Sequence, residues 1–134
     1  MLTRFSDDSI ETNAITIVLS GNRAQAAVAA EKTRFVSIDG RLPDLETKLS
    51  RCLIPLVSDN WTKHFQWRGT GPLAEDDKEK LRGIVASAHE QGRKLRFWGM
   101  PDTKEVWQEI YDAGVDFLNT DDLPGMEQFL RSRK

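Results

Sequence analysis

Five short apolar runs, each closed by small or polar residues, set the tightest limit on what this chain can fold into. They are AITIVLSGN (Ala14 to Asn22), RFVSIDGR (Arg34 to Arg41), LIPLVSDN (Leu53 to Asn60), LRFWGMPD (Leu95 to Asp102) and VDFLNTDD (Val115 to Asp122). Apolar on both alternating faces and rich in Val, Ile and Phe, they read as strands buried on both sides. Helical patterns separate them. Lys78 to Gln91 carries Leu81, Ile84, Val85 and Ala88 on one stripe and stops at Gly92. Thr103 to Ala113 aligns Val106, Ile110 and Ala113, with Asp102 and Glu105 at capping-box spacing and Gly114 at the end. A last helix follows Asp122, takes Pro124 in its first turn and is expected to bury Leu123, Met126 and Leu130. Arg23 to Lys32 is alanine-rich and reads as helical, while Leu42 to Leu49 reads as either a helix or an irregular crossover. Strand and helix alternate, which predicts an α/β fold of parallel strands joined by right-handed crossovers.

At 134 residues the chain is one domain or a piece of one. Residues 1–13 read as a weakly structured extension and 14–134 as the domain. Lys plus Arg is 19 and Asp plus Glu 21, a net charge of -2. That balance argues against nucleic acid or an anionic membrane as a general partner, because counterion release needs a basic surface. No apolar run approaches the length of a membrane-spanning helix. The start, MLTRFSDDSIETN, holds no apolar stretch of the secretory type. The single Cys52 excludes an intrachain disulfide and a cysteine metal cluster, and in CLIPLV it reads as a small buried hydrophobe.

Polar residues gather where each apolar run ends: Ser20-Gly21-Asn22, Asp39-Gly40-Arg41, Ser58-Asp59-Asn60, Asp102 and Asn119-Thr120-Asp121. In α/β folds the carboxyl ends of parallel strands form the ligand face. Turn formation and helix capping call for the same residue types, so Asn22, Asp59 and Asp102 fit either reading. Trp61, Trp67 and Trp98 fall on or near this rim, and Trp107 falls within a helix. Aromatic rings there stack on a ligand ring or simply pack beneath the long Trp61–Ala74 connection. His64 and His89 have no second histidine or carboxylate at ligand spacing and read as structural or solvated. There is no glycine-rich phosphate loop, no metal-binding spacing and no complete catalytic set.

Taken in order, VLSGNR, RFVSIDGRL, IPLVSDNW, FQWRGTGP, GRKLRFWGMPD and EVWQEIYDAGVDFLNTDDL resemble the carboxy-terminal part of TIM barrels of the phosphodiesterase superfamily. These are relatives of glycerophosphodiester phosphodiesterase and phosphatidylinositol-specific phospholipase C. The resemblance runs from Ile15 to Leu130, and GVDFLNTDDL is similar to the end of that family's last barrel strand. It implies the last five βα units of a (β/α)8 barrel, about half of the ~250 residues such a barrel takes. It further implies that Trp98 lines a substrate cleft and that Asn22, Asp39 and Arg41 point at a phosphate or head group. Trp61 is counted on the same rim, and Asp121 would fix the last loop.

The family's histidine pair and metal ligands have no counterpart in Met1 to Asn13. The resemblance therefore implies phosphoric diester hydrolase ancestry but no catalytic residue, no metal ligand and no turnover by this chain alone. The Mg²⁺ or Ca²⁺ implied for a complete family barrel has no cofactor site here. Partners implied are a phosphodiester or lipid head group, and either a second copy or the missing half of the barrel. Family members are often exported, which leaves the compartment of this chain undecided. Two alternatives stand beside this reading. One is a non-enzymatic interaction module pairing through exposed strand edges. The other is an open sheet of receiver or flavodoxin type, which a 2-1-3-4-5 strand order would establish.

Overall fold

The computed structural model describes residues 1–133. In chain order the elements are β1 (Arg4–Phe5), β2 (Ile10–Glu11), β3 (Ile17–Leu19), α1 (Gln25–Ala30), β4 (Val36–Gly40), a 3-10 turn (Leu42–Glu46) and β5 (Leu56–Asn60). There follow α2 (Trp61–His64), α3 (Glu75–Glu90), β6 (Lys94–Trp98), α4 (Lys104–Asp112) and α5 (Leu123–Arg131). The fold is mixed α/β with a four-stranded parallel sheet in the order β3-β4-β5-β6, so sequence neighbours are sheet neighbours. Ile17 pairs with Val36 and Leu19 with Ile38, and Asp39 and Gly40 pair with Leu56 and Val57. The 2-1-3-4-5 order of the open-sheet alternative is not the order seen.

The chain divides into two compact units. The first holds Met1–Ser58 with Ala88–Lys94, and the second Asp59–Ser87 with Leu95 onward. In the first, residues 1–13 carry the β1-β2 hairpin, in which Arg4 pairs with Glu11 and Phe5 with Ile10. The Thr3 N–H donates to the Ile15 carbonyl at 2.7 Å, and Phe5 and Arg34 exchange backbone bonds of 2.8 and 2.9 Å. Phe5 thereby reaches a core of Val28, Ile38, Cys52, Leu53, Ile54 and Val57. Cys52 is a free thiol buried among them, the packing role its sequence setting suggests.

Two buried arginines tie the loops of this unit. Arg34 donates to the carbonyls of Glu31, Ser6 and Cys52, and Arg93 to those of Asp44 and Leu49. Burial pulls the Arg93 guanidinium below its usual pKa, and nearby Asp44 opposes that. Bonds to several carbonyls offset the cost of taking such a cation out of water.

In the second unit a wedge of aromatics forms the core. Trp61 stacks on Phe65 with ring centroids 4.0 Å apart, and Phe97 meets both edge-on at 5.5 and 6.0 Å. α3 begins at Glu75, earlier than the hydrophobic stripe alone indicates. Glu75, Asp76 and Asp77 occupy its first turn, where negative charge suits the positive end of the helix dipole. The cap of α4 is Thr103, whose hydroxyl accepts the Val106 N–H, and not the expected Asp102–Glu105 box. On α5 the expected buried stripe needs correcting. Met126 and Phe129 are buried against Trp107 with Leu118 packed alongside, while Leu123 and Leu130 stay exposed. Phe129, omitted from that stripe, fills more volume than either leucine and takes the inward position.

Candidate functional site

Three neighbouring strands bring polar side chains to one carboxylate. Asp39, at the carboxyl end of β4, is only 3% exposed. Its Oδ2 accepts the Ser20 hydroxyl, just beyond β3, at 2.9 Å, and its Oδ1 accepts the Ser58 hydroxyl of β5. The Arg41 guanidinium lies 3.2 Å from Oδ2. Parallel pairing makes this convergence possible: Leu19, just before Ser20, pairs with Ile38, just before Asp39, and Gly40 pairs with Val57, just before Ser58.

A second tier surrounds that carboxylate. Arg41 Nη1 also donates to the carbonyls of Gly40, Asp39 and Ser58, at 2.8, 3.3 and 3.3 Å. Asp44, in the 3-10 turn, accepts the Arg41 backbone N–H at 2.7 Å and Arg23 Nη1 at 3.2 Å. Arg23 Nη1 also reaches the Asp39 carbonyl at 2.9 Å. The cluster thus holds two guanidiniums and two carboxylates, about a quarter of each arginine side chain remaining exposed. Gly40 is required here for space: a Cβ on it would come within 2.5 Å of Ile54 Cγ2. Beside Arg23, Ala24 takes a left-handed conformation with φ 40, costly for any residue with a side chain.

The candidates named from sequence divide accordingly. Asp39 and Arg41 are in this cluster. Asn22 is exposed in the adjoining turn, next to Gly21, which takes φ 72. Arg23 and Asp44 belong to the cluster and were not singled out in sequence. The capping spacing of Asp44 three residues after Arg41 was the available signal.

The remaining candidates lie in the second unit. Trp61 is fully buried and cannot line an exposed rim; its indole N–H donates to the Trp67 carbonyl at 2.9 Å. Trp98 is partly exposed, with the Arg96 guanidinium 5.9 Å from its ring centroid. Asp121 is exposed, and its backbone N–H, not its carboxylate, holds the last loop by donating to Asp102 Oδ2 at 2.9 Å.

This unit also contains a pair that sequence spacing did not flag. His64 Nε2 lies 3.2 Å from Asp59 Oδ2, and the Asp59 side chain is 5% exposed. The helix α2 turn brings them together. Asn60 caps it by accepting from Thr62, and Lys80 Nζ donates to the His64 carbonyl at 2.6 Å. Among the described residues no group of three or more His, Cys, Asp or Glu is arranged to hold a metal ion. Nor is any helix among them long and apolar enough to cross a membrane.

Comparison with known proteins corrects the expected family. No protein-family model and no solved structure matches the chain. It is similar to fungal proteins named "Altered inheritance of mitochondria protein 6". The Lachancea thermotolerans protein is 49% identical over 87% of this chain and 34% of its own length. The Eremothecium gossypii protein is 36% identical over 51% of this chain and 17% of its own length. A homolog in Arthroderma benhamiae is 24% identical over 88% of this chain and 40% of its own length.

These names carry neither phosphodiesterase activity nor lipid metabolism, and the expectation of a glycerophosphodiester or phosphoinositide hydrolase portion is overturned by them. The residues that suggested it have local duties. In GVDFLNTDDL, Asp116 accepts the Leu95 N–H and Asp122 caps α5 through the Gly125 N–H. Strand-end acids and amides of this kind serve many α/β proteins as turn and cap chemistry. The chain spans 17 to 40% of the length of these three curated relatives.

Proposed function

We propose that this chain is the ligand-bearing part of a longer α/β polypeptide that acts, as the names of its relatives suggest, in the inheritance of mitochondria. Its strands are read as consecutive members of a larger parallel sheet of barrel type. The sequential order β3-β4-β5-β6 favours that reading, since barrels place successive strands side by side. The ligand is a small polar molecule with an anionic group, received by Arg23 and Arg41 above the ends of β3 to β5.

The observation that carries the reading is buried Asp39, bonded to Ser20, Ser58 and Arg41 at once. A carboxylate so enclosed holds its surroundings in one arrangement, and fixed positioning of charged forks is what anion recognition requires. Arg23 uses Nη1 within the cluster, and the edge of its guanidinium away from Nη1 is the proposed ligand contact. The test is replacement of the natural gene by one encoding Arg23→Ala with Arg41→Ala. Altered mitochondrial inheritance with normal protein abundance is expected. Normal inheritance at normal abundance would refute the assignment.

A further inference from the structure

The second compact unit leaves one strand edge and one helix face uncovered side by side in sequence. The segment after α4 joins β6 through a parallel bridge between Arg96 and Phe117, with the Phe117 N–H donating to the Leu95 carbonyl at 3.1 Å. Among the described residues that bridge is the only strand-type pairing at Phe117, and the residue is 49% exposed. The chain then enters α5. Met126 and Phe129 face Trp107 and Leu118, but Leu123 is 71% exposed and Leu130 38%. Leu123, Met126 and Leu130 floor a groove of about 460 Å³, rimmed by Glu127 and Arg131, which pair at 2.8 Å.

A strand edge offers backbone donors and acceptors, and a leucine groove offers apolar area. One element satisfies both: a β-strand lying parallel to the Phe117 segment, connected to a helix whose apolar face seats on α5. We infer that α5 and the Phe117 edge form the docking surface for a further βα unit of the same longer polypeptide. This rests on the reading of the chain as part of a larger sheet. The comparisons supply the material, because the matched segment is 34% of the Lachancea thermotolerans protein and 40% of the Arthroderma benhamiae protein. A second copy of this chain fits less well. Paired antiparallel about the same leucines, the two α5 helices would bring one Glu127 close to the other.

The test uses thiol accessibility at two sites. Leu123→Cys and Phe117→Cys are each made in the 134-residue chain. Each is also made in the full-length Lachancea thermotolerans protein carrying this chain in place of its matching segment. Labelling by a maleimide is followed by mass spectrometry, which separates the new thiol from buried Cys52. Both new thiols are expected to label readily in the chain alone and at least tenfold more slowly in the longer protein. Protection of Phe117→Cys with open Leu123→Cys would keep the larger sheet and remove α5 as the docking face. Equal labelling at both positions in both proteins would overturn the docking surface and the larger sheet together. Protection of Leu123→Cys in the isolated chain that grows with its concentration would make a second copy the occupant and overturn the proposal.

Discussion

The backbone N–H of Asp121 donates to the carboxylate of Asp102 at 2.9 Å, tying the last loop to the start of α4. Slight burial alone would raise the Asp102 pKa. Several hydrogen bonds, led by those from the Asp121 N–H and the Thr120 hydroxyl, together outweigh it and hold the carboxyl below its ordinary value of 3.8. A folded-state pKa below the unfolded one stabilises the fold above the unfolded value and ceases to do so as pH falls through the folded one. Asp102→Asn is expected to cost under about 1 kcal/mol at neutral pH, because solvent screens this largely exposed carboxylate. Urea unfolding at stepped pH should show that difference steady down to about pH 5 and shrinking below about pH 4. A difference that grows on acidification would contradict the account.

Trp61 belongs to the core of its unit, stacked on Phe65 and edge-on to Phe97. Trp61→Ala should lose about 3–5 kcal/mol, as buried aromatic truncations do. A loss under about 1 kcal/mol in denaturant unfolding would place this side chain at the surface instead.

Gly40 sits against Ile54 and Val57, where an added methyl has no room. Gly40→Ala should destabilise by about 1–3 kcal/mol through overpacking. Gly71→Ala is the contrast, with open space around the added methyl but a φ of 69. Its cost should be conformational only, about 1 kcal/mol. Equal losses above that value at both positions would show that crowding at Gly40 is not the cause.

The Asp59–His64 pair should register as an energetic coupling. A double-mutant cycle of Asp59→Asn and His64→Ala is expected to give a coupling of about 0.5–3 kcal/mol. Additive losses would mean that the 3.2 Å approach contributes nothing.

Much of this arrangement is written in local sequence. Short apolar runs mark β4, β5 and β6, and caps such as Asp122 mark helix starts, because each depends on neighbours a few residues away. What local sequence leaves out is register. The Ser20–Asp39–Ser58 convergence needs three strands paired in one particular register, and residues 19 positions apart carry no mutual signal until they pair. Burial choices among equivalent apolar residues are likewise settled by packing, as Phe129 displacing Leu130 on α5 illustrates. Strand-end acids and glycines common to many α/β proteins give GVDFLNTDDL its likeness to a hydrolase segment, although their duties here are turns, caps and loop anchors.

The most direct test of the strand-end site is a titration of the isotope-labelled chain with inorganic phosphate and with acetate, followed by two-dimensional nitrogen–proton NMR at constant pH and ionic strength. The account predicts saturable shifts gathered at Gly21, Asn22, Arg23, Arg41 and Leu42, abolished by Arg23→Ala with Arg41→Ala. Shifts scattered over the surface, or a response that survives the double substitution, would contradict it.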